Sequence, residues 1–189
     1  MFFERELYPH PVIEDSGLDK MFTDLDYLAE CASNIELAQY NGIIRSKHSG
    51  GNYEQMAYFC AVPKSMFSCL GEAIPLLFIY SLYDFEEWEK ENHVLDNLDK
   101  TEWKNILRKI WIPEYFALGK NCTKVEYKII NEDEFRSKWF SIVNEVADTA
   151  ILSPIQQIIR YGWIDAWNFY DYLIETETEY IDFRYWTTA

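Results

Sequence analysis

Positive charge is scarce in this chain. Its 17 lysines and arginines stand against 32 acidic residues, which gives a formal charge of −15 at pH 7. Nucleic acid and anionic membranes both require a basic surface, so neither is expected as a direct partner. A basic protein suits the charge, although acidity also serves plain solubility. The deficit is uneven: positions 101–150 hold 8 basic and 8 acidic groups, whereas 151–189 hold 2 and 6.

Other absences narrow the field. Cys31, Cys60, Cys69 and Cys122 form no C-x-x-C pair and have no metal-type spacing with the three histidines. The G-x-S-x-G elbow, the Walker A loop and the dinucleotide-binding glycine pattern are all missing, which lowers the enzyme reading. No cofactor or metal is therefore expected. The opening stretch MFFERELYPHP carries acid where a signal peptide has a basic region. A cytoplasmic protein with reduced, mostly buried thiols follows as the expectation. The longest apolar run, Ala73 to Leu82, is too short to span a bilayer and contains Pro75. Without repeats, low-complexity linkers or a visible boundary, residues 1–189 are expected to form a single globular domain.

Aromatic residues are abundant, with 7 Trp, 14 Tyr and 12 Phe. Most must fill a core, and those that cannot fit inside are interface candidates, because Trp and Tyr combine large contact area with a polar handle.

Periodicity supplies the elements. Leu18, Met21, Phe22, Leu25, Leu28, Ala29 and Ala32 recur at helical spacing after Ser16, with Asp19, Asp24, Asp26 and Glu30 mainly on the outer face. Asn41 to Lys47 and Tyr53 to Val62 read as strands joined by the turn-forming HSGGN, with helix the competing reading for either. Lys64 to Leu82 reads as a short helix followed by a buried helix or strand. Asp84 with Glu87 forms a capping box for an exposed helix. Thr101 opens a helix with Trp103, Ile106, Leu107 and Ile110 on one face, closed soon after by Pro113. Lys124 to Ile130 alternates as a half-buried strand does, and Asn131 caps a helix with the stripe Phe135, Trp139, Ile142, Val143 and Val146. Ser153, Pro154 and Gln156 predict another helix start, with Gly162 bending a stripe that runs on to Ile174. Tyr180 to Trp186 alternates as a last strand. The fold class expected is α+β, helix-rich, with several amphipathic helices packed on a small antiparallel sheet.

Two clusters invite small ligands. In the Arg45–Asn52 loop, glycines can expose backbone N–H groups to an anion beside Arg45, Lys47 and His48, but a hairpin turn requires the same glycines. Glu86, Glu89 and His93 share one helix face and can approach a metal, yet a solvated face explains them as well.

The densest mixture of rings and acid is Asp171, Tyr172, Glu175, Glu177, Glu179, Tyr180 and Asp182, the first choice for a partner-binding surface. Glu86, Glu87 and Glu89 are the second. In an extended chain, Glu175, Glu177 and Glu179 would lie about 6.6 Å apart on one side, close to the phosphate spacing of a nucleic-acid strand. In character the composition resembles that of bacterial immunity proteins and phage-encoded antagonists of defence systems. That resemblance implies an acidic binding protein, not an enzyme, that neutralises a basic partner such as a nuclease or other nucleic-acid-binding protein. The alternatives are an enzyme acting on an anionic substrate at the Arg45–Asn52 loop and a structural subunit of a larger assembly.

Overall fold

The computed structural model describes residues 17–52, 55–83, 100–115, 124–147, 154–162 and 164–188. The chain is α+β and forms two compact units, one from Met1–Asn41 and Met66–Val125, the other from Gly42–Ser65 and Glu126–Ala189.

The first unit is helical. The stripe expected as one helix is broken into α1 (Gly17–Thr23) and α2 (Leu25–Ser33). Asp24 causes the break, since its side chain accepts the Tyr27 N–H and so starts a new helix. The apolar face survives the break: Met21, Phe22, Leu25, Leu28, Ala29 and Ala32 are all buried. α3 (Leu70–Tyr83) has Pro75 inside it and is buried nearly all round, so it lacks the one-sided pattern that separates a surface helix from a strand. α4 (Lys100–Ile106) runs into a π-helical turn at Leu107–Trp111, where the Ile112 N–H donates to the Leu107 carbonyl, and then into α5 (Ile112–Tyr115). Pro113 thus lies within a helical turn instead of closing the helix, because the wider π turn relieves the clash between its ring and the preceding carbonyls.

The second unit is a six-stranded, fully antiparallel sheet in the order β1-β2-β6-β5-β4-β3. Its strands are β1 (Arg45–Asn52), β2 (Gln55–Pro63), β3 (Tyr127–Ile129), β4 (Ile155–Tyr161), β5 (Phe169–Thr176) and β6 (Glu179–Thr187). The β1–β2 hairpin forms, but its first strand is shifted along the chain: it starts at Arg45, not at Asn41, which lies in a turn, and continues through the glycines to Asn52. α6 (Glu132–Ala147) begins at Asn131, whose Oδ1 accepts the Asp133 N–H. It lays Phe135, Trp139 and Val143 on Ala57, Phe59, Ala61, Ile158, Tyr172, Ile174, Ile181 and Phe183. Trp139 Nε1 donates to Tyr172 Oη at 2.9 Å, so the buried indole keeps its polar partner. Phe183 is fully buried there, and emptying such a position costs about 3–5 kcal/mol.

The helix expected from Ser153 through Ile174 is overturned: the segment forms strands β4 and β5. The cause is burial of both sheet faces. In β5 the residues Asp171, Tyr172, Leu173 and Ile174 are all buried, so the two-residue alternation is erased. Ile155, Ile158 and Ile159 then mimic a helical stripe although they belong to a strand. Gly162 does not bend a helix. It ends β4 in a left-handed turn at φ 76°, with its N–H donating to the Glu126 carbonyl.

Close backbone approach in the first unit yields a test. A Cβ on Gly71 would lie 3.0 Å from both the Gly17 carbonyl carbon and the Leu18 nitrogen. Neither backbone atom can yield as a side-chain tip can. Gly71→Ala is expected to destabilise the protein by about 1–3 kcal/mol, read as a lower denaturant midpoint, despite alanine's better helix propensity.

Candidate functional site

The seven residues chosen from sequence as a partner-binding surface do not share one. Asp171, Tyr172, Tyr180 and Asp182 are buried. Tyr172 stands among the rings of the α6 core, and the Lys64 ammonium lies 5.5 Å from the Tyr180 ring centre. The extended row of Glu175, Glu177 and Glu179 is not formed either. These residues bracket the tight β5–β6 turn, where Thr176 Oγ1 accepts the Glu179 N–H at 2.9 Å and donates to the Glu179 carbonyl at 3.1 Å. Glu175 sits on one strand and pairs with Lys64, while Glu179 sits on the next and accepts from Arg45 at 2.9–3.1 Å. Glu177 alone of the seven is exposed. Glu86, Glu87, Glu89 and His93 lie outside the described residues.

The anion loop expected at Arg45–Asn52 is an edge strand. Arg45 is engaged by Glu179, and His48 packs against Tyr58 with ring centres 5.1 Å apart. Among the described residues no group of three or more His, Cys, Asp or Glu can hold a metal ion. Cys31 and Cys60 are buried, and burial raises the Cys31 thiol above its ordinary range. No helix among the described residues is long and apolar enough to cross a membrane.

The sheet instead assembles a buried polar network that sequence reasoning missed. Asp182 and Arg184 are two residues apart on β6 and therefore project from the same face, opposite α6. Arg184 Nε donates to Asp182 Oδ2 at 3.0 Å, and Tyr161 Oη donates to Asp182 Oδ1 at 2.8 Å from two strands away. Asp171 completes the group, directly opposite Arg184 in the β5–β6 register. Burial and the neighbouring carboxylates raise the Tyr161 hydroxyl well above its usual range, although Arg184 opposes them. Arg184 is disfavoured as a cation by burial, yet Asp182, Tyr161 and Asp171 more than offset this and hold it protonated. The visible signal was the alternation Tyr180-Ile181-Asp182-Phe183-Arg184, which places one acid and one base on a single strand face.

Carboxylates that do face solvent gather on the first unit. Asp19, Asp24, Asp26 and Glu30 of the α1–α2 segment and Glu36 beyond it are exposed, against one exposed cation in that stretch, Lys20. Asp26 pairs with Arg108 at 2.8 Å and Glu30 with Lys104. Both carboxylates keep most of their solvent exposure, at 75% and 53%, so the pairs add little stability and leave the acid accessible.

Comparison with protein-family models, with curated proteins and with solved structures finds no match.

Burial of Asp171 makes stability depend on pH. Desolvation pushes its carboxyl from 3.8 up to about 7; Arg184 and Arg160 oppose the rise and Asp182 adds to it. The folded state therefore holds this proton more tightly than the unfolded chain does. Its contribution is fully present below about pH 4 and is lost as pH rises through 7. Asp171→Asn mimics the protonated carboxyl. Compared with the parent, it is expected to gain stability between pH 5 and 8, by up to a few kcal/mol on the order-of-magnitude linkage scale. Urea unfolding across that range measures it, and parallel stability curves for the two proteins would refute the assignment.

Proposed function

We propose that the protein binds a basic protein through its exposed carboxylates and blocks it, in the manner of an immunity protein or a phage-encoded antagonist. The observation that carries this reading is the exposed acid of the α1–α2 segment, Asp19, Asp24, Asp26, Glu30 and Glu36, in a chain of net charge −15. Fixed on a helical scaffold, such carboxylates raise the local concentration of a cationic partner and speed encounter. The Arg108 and Lys104 partners hold Asp26 and Glu30 in place, so less side-chain freedom is lost when a partner arrives. A surface that grips nucleic acid is the chemistry this acid complements, which makes a nuclease or another nucleic-acid-binding protein the favoured class of partner. The proposed interface accordingly moves from the buried acids of β5 and β6 to the outer face of α1 and α2.

Charge reversal tests this directly. Asp19→Lys, Asp26→Lys and Glu36→Lys leave the Asp24 cap intact and alter exposed positions, so the fold is expected to persist. Capture of the partner from cells, followed by association kinetics with that purified partner at about 50 and 300 mM salt, gives the readout. The parent is expected to associate steeply more slowly at high salt, and the triple variant about 10- to 100-fold more slowly than the parent at low salt. Binding that is indifferent to both changes would sink the reading.

A further inference from the structure

Three cations on the sheet unit behave differently from most others described. Arg45, Lys64, Arg136 and Arg184 each have a carboxylate partner. Lys128, Lys138 and Arg160 have none among the described residues and converge on one corner of the sheet. Lys128 of β3 is directly opposite Arg160 of β4, an arrangement of like charges that weakens a strand pair. Lys138 of α6 places its ammonium 4.0 Å from the Tyr170 ring centre, and the Arg160 guanidinium carbon lies 4.8 Å from the same ring. Arg160 Nε is buried with no hydrogen-bond acceptor among the described residues. Among the described residues none of the three forms an ion pair, although Arg160 is near enough to Asp171 to act on its carboxyl; clustered cations beside a ring form a receptor for an anion.

An exposed ring is tied to the same cluster. Trp167 is 63% exposed, one of the few large hydrophobic side chains in solvent among the described residues. Its carbonyl accepts from Tyr170 Oη at 2.7 Å, and Arg160 Nη2 donates to the adjacent Ala166 carbonyl at 3.0 Å. Arg160 therefore also fixes the backbone beside the indole, and Tyr170, against which Arg160 and Lys138 lie, fixes the carbonyl of Trp167 itself. Tyr170 in turn packs on Trp139 at 4.7 Å, so the platform rests on the α6 core.

We propose that this corner binds a small ligand combining a phosphate with a planar ring, a mononucleotide by chemical class. The phosphate is held by Lys138, Arg160 and Lys128, and the ring stacks on Trp167. A mononucleotide is preferred to a nucleic-acid strand because the net charge of −15 repels a long polyanion, whereas one phosphate engages only the local cations.

Isothermal titration of the full chain with adenosine 5′-monophosphate, adenosine, inorganic phosphate and a ten-nucleotide DNA strand tests the site. The monophosphate is expected to bind at least about tenfold more tightly than adenosine or phosphate, and more tightly than the strand. Lys138→Ala and Trp167→Ala change exposed side chains and are each expected to weaken it by about tenfold or more. Unchanged far-ultraviolet circular dichroism identifies the variants that remain folded. Lys138→Arg is expected to retain most of the binding, which a purely structural role for the lysine would not require. Absence of heat at millimolar monophosphate, equal binding of phosphate and nucleotide, tighter binding of the strand, or indifference to both alanine variants overturns the proposal.

Discussion

Burial of β6 on both of its faces is the constraint on which the sheet unit depends. The strand is paired along its length with β2 and β5. Ile181 and Phe183 point into the α6 core, while Tyr180 and Asp182 on the other face are just as dry. A dry face tolerates polar groups only when they satisfy one another. Asp182 can stand there because Tyr161 and Arg184 donate to it, and Arg184 can stand there because the acids keep it charged. The network is thus a consequence of topology. Only a sheet that places β4, β5 and β6 side by side brings Tyr161, Asp171 and Asp182 together.

That same arrangement governs which charges remain outside. Acids on β5 and β6 are drawn inward or matched by Arg45 and Lys64, so the end of the chain presents less acid than its composition suggests. The α1–α2 segment keeps its carboxylates in solvent because its apolar stripe occupies the opposite face of each helix. On the sheet unit, Lys128, Lys138 and Arg160 form a local cationic corner. Net charge is a property of the whole chain, whereas partner chemistry is set by where the fold leaves each sign.

Legibility followed the number of buried faces. Residues 17–33 and 131–147 bury one stripe and expose another, and their helices could be read from spacing. β6 was legible too, since its larger apolar residues alternate with Asp182 and Arg184 even though both faces are dry. β4 and β5 were not, because consecutive buried residues such as Ile158-Ile159 and Tyr172-Leu173-Ile174 carry no alternation. The Ser-Pro start then supplied a helix signal that strand pairing overrode. The acidic residues of the candidate surface were visible as types, but not as buried or exposed.

By itself, the sequence determined the α+β class, the excess of acid, the ring-rich core and the absence of familiar catalytic patterns. These depend on composition and on contacts between near neighbours, which local spacing records. Tertiary structure alone decided that Asp171 and Asp182 are interior, that Glu175 and Glu179 face separate cations, and that Lys138 and Arg160 both lie against the Tyr170 ring. Each of these depends on strand order and register. A single-residue change of register moves a side chain to the other face of the sheet, and no local pattern in a strand buried on both sides reports which face it occupies.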